Sequence, residues 1–135
     1  MDIGEALDFL REHHAGVLAT TRSDGHPQLS PVLGTVDDRG RLVISTREPT
    51  AKVRNLRRER WASYCGFTDR FFGPWVQVEG PVEIIPLPAA LEPLVAYYRS
   101  ISGEHPDWDD YRRAMERDRR VLVAITPERV GPAGA

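Results

Sequence analysis

Six short segments with strand-like patterns, separated by turn residues, limit the folds available to this chain more than any other feature. Turns are marked at Ser23-Asp24-Gly25 and at Asp37-Asp38-Arg39-Gly40, because glycine readily takes positive φ. Closely spaced strands joined by such turns indicate a small antiparallel barrel. We therefore predict a mainly β fold with helices (α+β), built on a six-stranded antiparallel barrel. The predicted strands are 16–21, 27–36, 41–45, 61–67, 75–85 and 121–125.

Helical spacing of apolar residues is confined to the start of the chain, one crossover and the C-terminal third. The predicted helices are 2–14, 53–58, 89–101 and 108–118, the last with Asp107 as its N-cap. Because no linker of domain-separating length is present, we predict one domain over residues 1–135, long enough for a hydrophobic core. Residues 131–135 are predicted to be a frayed tail.

Charge, cysteine content and hydropathy exclude several classes of protein. The formal net charge of -2 gives no reason to expect a nucleic acid partner. A single cysteine, Cys65, excludes an internal disulfide and favours a reducing compartment. No apolar run approaches the roughly 20 residues that cross a membrane, and the N-terminus lacks the basic-then-apolar order of a secretory signal. We expect a soluble, cytoplasmic protein. The four histidines and nearby acids show no close-spaced ligand set, so no metal site is predicted.

Lys52 is the strongest local signal of function, because it is the only lysine among eighteen basic residues. It follows a predicted strand that ends near Ser45 and Thr46, and it precedes a predicted helix. Hydroxyl groups, a compact cation and free N–H groups at a helix start together suit a phosphate group. Two other interpretations stay open. In the first, Lys52 is an ordinary surface lysine. In the second, Ser45 and Thr46 simply end a strand and cap a helix.

The order of several motifs resembles a known family. These are Gly16-Val17-Leu18-Ala19-Thr20, the segment 24–30, the Lys52 segment and Val78-Glu79-Gly80, and they are similar to the flavin-binding split β-barrel proteins related to pyridoxamine 5'-phosphate oxidase. The spacing of 103–112, followed by 118–121, resembles the actinobacterial branch that uses coenzyme F420, a deazaflavin, in place of FMN. The resemblance extends from about Ile3 to Val130.

This resemblance implies a homodimer with two cofactor sites at the subunit interface. The family's phosphate-binding lysine corresponds to Lys52, and its hydroxyl contacts to the phosphate correspond to Ser45, Thr46 and Thr50. Trp75 and Gln77 lie on the strand that, in this family, reaches the cofactor from the partner subunit, although Trp75 is equally consistent with barrel core. The residues expected beside the tricyclic ring are Gln28, Leu29, Ser30, Pro31 and Val32.

The chain departs from the family pattern at one functional position. Many relatives have an arginine one or two residues before the lysine, where this chain has Thr50-Ala51. Arg54 and Arg47 are the candidates that would replace that cation. The C-terminal arginine signature of true pyridoxamine phosphate oxidases has no clear match, so pyridoxamine phosphate is not the expected substrate.

The resemblance implies an enzyme that transfers a hydride from reduced coenzyme F420 to a small organic acceptor. Because the cofactor carries the redox chemistry, we assign no catalytic residue. One alternative is an FMN-dependent oxidoreductase of the same fold, which would share the phosphate site. Another is a non-catalytic flavin or deazaflavin carrier or sensor.

Overall fold

The structure is a computed structural model that describes residues 1–132, and it contains seven strands and four helices in that range. The strands are β1 (Ala15–Thr21), β2 (Pro27–Val36), β3 (Leu42–Arg47), β4 (Trp61–Phe67), β5 (Trp75–Ile85), β6 (Arg120–Ile125) and β7 (Arg129–Gly131). The helices are α1 (Ile3–Glu12), α2 (Ala51–Arg58), α3 (Leu91–Ser102) and α4 (Trp108–Arg117). Within residues 1–132, no helix is long and apolar enough to cross a membrane.

Six antiparallel strands close a barrel in the order β4-β1-β2-β3-β6-β5, with β5 pairing back to β4. The two long strands hold the halves of the barrel together. In β2, residues 27–33 pair with β1 and 34–36 pair with β3. In β5, residues 75–81 pair with β4 and 82–85 pair with β6. The predicted six-stranded antiparallel split barrel is therefore confirmed.

Strand β7 was not predicted from the sequence. It pairs with β5, and Gly131 lies opposite Gln77. Gly131 was assigned to a frayed tail, and this part of the assignment was wrong because Gly131 belongs to a strand. A segment of three residues is too short to show a period of two, and Val130 is held by packing against the barrel core. Residues 133–135 of the predicted tail lie outside the described residues.

Two hydrophobic clusters lie on opposite faces of β3 and β6. The first fills the barrel and includes Leu42, Ile44 and Tyr64. The second lies between the outer face of these strands and helices α3 and α4, and it includes Val43 and Leu122. Because side chains alternate along a strand, Ser45 and Arg47 share the face of Val43, whereas Thr46 shares the face of Ile44.

Helix starts determine where two predicted site segments lie. α4 begins after Asp107, whose carboxylate accepts a hydrogen bond from the backbone N–H of Asp110 at 3.1 Å, so the predicted N-cap is confirmed. α2 begins at Ala51, two residues before the predicted start. Lys52 therefore lies in the first turn of α2 rather than in the preceding loop.

Candidate functional site

Lys52 is half-buried at the start of α2. Burial lowers the pKa of its ammonium group, and the positive charge of Arg120 lowers that pKa further. Both effects disfavour the charged lysine, and a bound anion would oppose both. The environment of Lys52 is therefore that of a cation without a fixed acidic partner.

Arg120 is the second cation at this end of the barrel, and sequence analysis did not assign it to the site. It is the first residue of β6 and lies directly opposite Arg47 of β3. Among residues 1–132, its Nε is the only buried side-chain nitrogen or oxygen without a hydrogen-bond partner. The carboxylate of Asp118 lies 4.0 Å from this Nε, beyond hydrogen-bond distance. Buried donors are normally paired, so this Nε is an exception, while the side chain as a whole is 31% exposed.

Backbone contacts hold the segments of Lys52 and Arg120 together. The backbone N–H of Glu48, between β3 and α2, donates to the carbonyl of Arg119 at 2.9 Å. Arg119 has a φ of 52°, the left-handed conformation that ends α4 and starts β6 at the next residue. The Arg120 segment is thereby fixed beside the loop that leads to Lys52.

The predicted hydroxyl contacts differ in where their side chains lie. Ser45 lines an open depression together with Arg120. Thr46 is 3% exposed and faces the barrel interior, so its hydroxyl does not lie on this surface. Thr50 donates its hydroxyl proton to the carbonyl of Arg47 at 2.9 Å, and its oxygen is left as an acceptor. Of these three residues, only Ser45 presents its hydroxyl group beside Arg120, the second cation.

The two arginines proposed from sequence as replacement cations are both exposed. Arg54 donates from Nη1 to the carbonyl of Pro49 at 3.2 Å. Within residues 1–132, neither Arg47 nor Arg54 has a buried, unpaired side-chain nitrogen as Arg120 does. Sequence analysis missed Arg120 because the β3–β6 pairing that places it opposite Arg47 cannot be read from the sequence. The segment 118–121 was noticed only for its spacing.

The depression that Arg120 lines has a volume of about 770 Å³ and is mainly apolar and aromatic. Its lining includes Pro31, Val32, Ser45, Tyr97, Tyr111 and Arg120. The hydroxyl of Tyr97 donates to the carbonyl of Leu33 at 2.7 Å, which holds α3 against β2. Burial raises the pKa of Tyr97, so its hydroxyl stays protonated at neutral pH. The structure thus places a flat, apolar surface next to a cationic corner.

The predicted ring-contact residues of β2 are divided between two faces. Leu29 and Pro31 point outward, and Leu29 is 61% exposed. The intervening residues are half-buried and point inward, as the pairing of Ser30 with buried Leu18 requires. They are Gln28, Ser30 and Val32. Of these five residues, Pro31 and Val32 line the depression, and Gln28, Leu29 and Ser30 do not.

Trp75 and Gln77 lie on the outer face of β5, apart from the depression in the same chain. Trp75 is 45% exposed, so the alternative that it belongs to the barrel core was wrong. It pairs with Phe67, which does line the depression. Their predicted contact with a cofactor of the partner subunit stays a prediction.

A second cavity, of about 560 Å³, lies at the other end of β3. Three of its six charged residues pair with one another, since Arg41 contacts both Asp37 and Glu83. Among residues 1–132, no group of three or more His, Cys, Asp or Glu side chains could hold a metal ion. Within residues 1–132, the buried Nε of Arg120 without a hydrogen-bond partner therefore distinguishes the first depression.

Solved structures share this fold across most of the chain. A conserved hypothetical protein from Mycobacterium tuberculosis is 29% identical, with 96% of this chain and 82% of that protein covered and a TM-score of 0.78. A structure described as an F420 reductase is 21% identical, covers 92% of this chain and 94% of its own, and has a TM-score of 0.70. A heme storage protein from Vibrio cholerae is 14% identical, covers 97% and 94%, and has a TM-score of 0.72. The last two similarities establish the fold alone.

The sequence itself matches a family model over nearly its whole length. The match to the pyridoxamine 5'-phosphate oxidase family covers residues 3–132, which includes all seven strands and every residue of the site described above. This chain therefore belongs to the pyridoxamine 5'-phosphate oxidase family of split β-barrel proteins.

Proposed function

We propose that this protein is an oxidoreductase that binds coenzyme F420 and uses its reduced form to reduce a small organic acceptor, in the cytoplasm. The observation that carries the proposal is Arg120 at the edge of an apolar and aromatic depression, with Lys52, which does not line the depression, close enough for the two charges to interact. A cofactor with a phosphate group and a flat ring system needs both features. The match to a family named for an oxidase supports redox chemistry.

The residues present fit a phosphate-bearing flavin-type cofactor. Arg120 lines the depression, its side chain is 31% exposed, and its guanidinium group carries N–H donors that such a phosphate would accept from. Lys52 would add a compact charge, and Ser45 would add a hydroxyl group. Tyr97 and Tyr111 would border the ring with surfaces that exclude water.

When bound in its reduced form, the cofactor supplies the hydride. The chain's own residues then bind the phosphate, orient the ring and keep the depression dry. Because the pKa of Tyr111 is raised to about 12, with burial as the main cause, its hydroxyl is protonated at neutral pH. That hydroxyl donates to the carbonyl of Leu94 at 2.8 Å, so it serves packing and not proton transfer. We assign no catalytic residue.

We also propose that two copies of the chain form a homodimer through the outer sheet face, the outward side of β1, β2, β4 and β5. This face carries large exposed apolar side chains, namely Leu29, Leu33, Trp61 and Trp75. Exposed apolar surface of this kind is typical of an interaction site. Dimerisation would let Trp75 and Gln77 of one subunit approach the cofactor of the other, which a single chain does not do.

Coenzyme F420 is proposed in preference to FMN for two reasons. The segments 103–112 and 118–121 resemble the F420-dependent branch, and the second ends α4 and places Arg120. The long anionic tail of F420 also requires cations outside the barrel. Arg54, Arg57 and Arg58 are exposed on α2, where they would meet such a tail.

The test is a side-by-side fluorescence titration of the purified protein with coenzyme F420 and with FMN, with heme as a third ligand. Tighter binding of F420 than of FMN is expected. Equal or tighter FMN binding would favour the FMN-dependent alternative, and tight heme binding without flavin binding would contradict the proposal.

Light scattering at micromolar concentration checks the dimer, and a monomer that still binds cofactor would contradict it. Binding of both redox states without oxidation by any acceptor would indicate a carrier.

A further inference from the structure

Arg120 differs from every other cation near Lys52 in how its guanidinium group is held. Its side chain is 31% exposed, but its Nε is buried and has no hydrogen-bond partner among residues 1–132. By contrast, Arg57 donates to the carboxylate of Glu48 at 2.8 Å. Arg54 is exposed and donates to a backbone carbonyl. One guanidinium group at this corner therefore has a buried Nε without a hydrogen-bond partner and a carboxylate no nearer than 4.0 Å.

The fold fixes the backbone position of Arg120. The β3–β6 ladder sets it opposite Arg47, and Ser45 lies two residues before Arg47 on the same face of β3. The hydrogen bond from Glu48 to the Arg119 carbonyl fixes the turn just before it. A group bound in the depression beside Ser45 would meet Arg120 at a fixed place.

Two like charges lie close to each other here, and the nearest described acid is beyond hydrogen-bond distance of Arg120 Nε. The charge of Arg120 opposes protonation of Lys52, and the nearest described carboxylate, Asp118, is 4.0 Å from Nε and 40% exposed. Such an arrangement costs stability unless an anion enters. A phosphate group has enough charge and enough acceptor oxygens to bind both side chains.

We infer that Arg120 is a cofactor-binding residue that, together with Lys52 and Ser45, holds the phosphate group and replaces the cation missing before Lys52. This inference rests on the proposed binding of a phosphate-bearing cofactor. It assigns the second phosphate contact to β6, rather than to Arg47 or Arg54. Arg120 is a binding residue in this scheme and takes no part in hydride transfer.

The experiment compares ligands that differ in their phosphate. FMN and riboflavin form one pair, and coenzyme F420 and its phosphate-free deazaflavin chromophore form the other. Dissociation constants are measured by fluorescence for wild type, Arg120→Gln and Arg117→Gln. Arg117 is a matched control, because its exposed side chain on α4 carries the same charge but does not line the depression. Thermal melting with and without inorganic phosphate is measured for the same proteins without cofactor.

We expect Arg120→Gln to weaken binding of the phosphate-bearing ligands by about tenfold to a hundredfold, as loss of a charge-assisted contact should. Binding of riboflavin and of the phosphate-free chromophore should stay as in wild type, and Arg117→Gln should bind all four ligands like wild type. If Arg120→Gln does not fold, Arg120→Lys replaces it. That variant keeps the charge but loses the planar donors, so weaker phosphate-dependent binding is still expected.

Other results would overturn the inference. Normal FMN and F420 binding by Arg120→Gln, with loss in Lys52→Ala, would reject Arg120 but leave the proposed function intact. Equal weakening of ligands with and without phosphate would show that Arg120 acts on the shape of the depression. If wild type binds no flavin or deazaflavin, the proposed function fails. The anion site then stands only if phosphate raises the melting temperature of wild type and not of Arg120→Gln.

Discussion

Arg41 and Arg120 lie at opposite ends of the same strand pair, and their guanidinium groups differ in their hydrogen-bond partners. Arg41 precedes β3, its side chain is 14% exposed, and it donates to Asp37 and Glu83 at 2.9 Å each. Arg120 starts β6, is opposed by another arginine, and has a buried Nε with no partner within residues 1–132. The barrel therefore has an end where a guanidinium group is hydrogen-bonded to two carboxylates and an end where the nearest carboxylate is 4.0 Å away.

The difference separates a structural arginine from a binding one. A low-exposure cation with two carboxylates adds more through pairing than its burial removes, provided the geometry is good. A buried donor without a partner costs free energy that a ligand can recover. The Arg41 end is thus complete in the protein alone, whereas under the proposed function an anion would complete the Arg120 end.

The largest expected effect is on stability at the Arg41 end. Arg41→Ala leaves Asp37, which is 17% exposed, without its ion partner. We expect the free energy of unfolding to fall by about 3 kcal/mol, because one charge of a mostly buried pair is left unpaired. Cofactor affinity should be unchanged. Urea unfolding measures the first quantity and fluorescence titration the second, and a loss of affinity as large as the loss of stability would erase the contrast between the two ends.

The next effect is on binding at the opposite end. Lys52→Ala should weaken binding of a phosphate-bearing cofactor by about tenfold to a hundredfold, since it removes one charge-assisted hydrogen bond. The free energy of unfolding should change by no more than about 0.5 kcal/mol, because the side chain is only half-buried and no acid depends on it. Lys52→Arg should recover part of the affinity, as a planar fork does not reproduce a compact charge. Unchanged binding in Lys52→Ala, measured by the same titration, would remove Lys52 from the site.

A charge reversal at Arg47 should make the Arg120 end resemble the Arg41 end. Arg47 lies directly opposite Arg120, and opposite charges at such a position stabilise an antiparallel pair by about 0.5 kcal/mol. Arg47→Glu should therefore raise the free energy of unfolding while it lowers affinity for the phosphate-bearing cofactor. In an Arg120→Gln background the stabilisation should disappear, as a double-mutant cycle would reveal. If Arg47→Glu lowers the free energy of unfolding both in wild type and in Arg120→Gln, other groups already balance the charge of Arg120.

The barrel could be predicted from sequence because its signals are local. Turn residues at Ser23-Asp24-Gly25 and the alternation along 61–67 each predict one element, and six such elements leave few arrangements. β7 was missed because three residues carry no periodic pattern, and its strand character comes from pairing with β5.

A site residue could be proposed from the sequence only where a single segment defines it. Lys52 was proposed from its rarity and from the helix that follows it, and its role stays a prediction. Arg120 was not, because its significance depends on the β3–β6 register and on a contact from Glu48 to Arg119, both between residues far apart in sequence. The same limit applies to Thr46. Its inward orientation follows from the alternation of β3 relative to a core that the local motif does not define.

The smallest expected effect is a pH dependence of cofactor binding. Burial, and then the charge of Arg120, lower the pKa of Lys52 in the free protein, so the ammonium group loses its proton at a lower pH than an ordinary lysine. A bound phosphate favours the charged form and raises that pKa again. Affinity should therefore fall as the pH rises through the lowered pKa of free Lys52, by at most about tenfold per pH unit for one proton. In Lys52→Arg this fall should vanish, because arginine stays charged throughout the range. In Arg120→Gln it should begin at a higher pH, because the charge that lowers the pKa of Lys52 is gone. Titrations at several alkaline pH values check all three proteins, and a fall that persists unchanged in Lys52→Arg would assign the titrating group elsewhere.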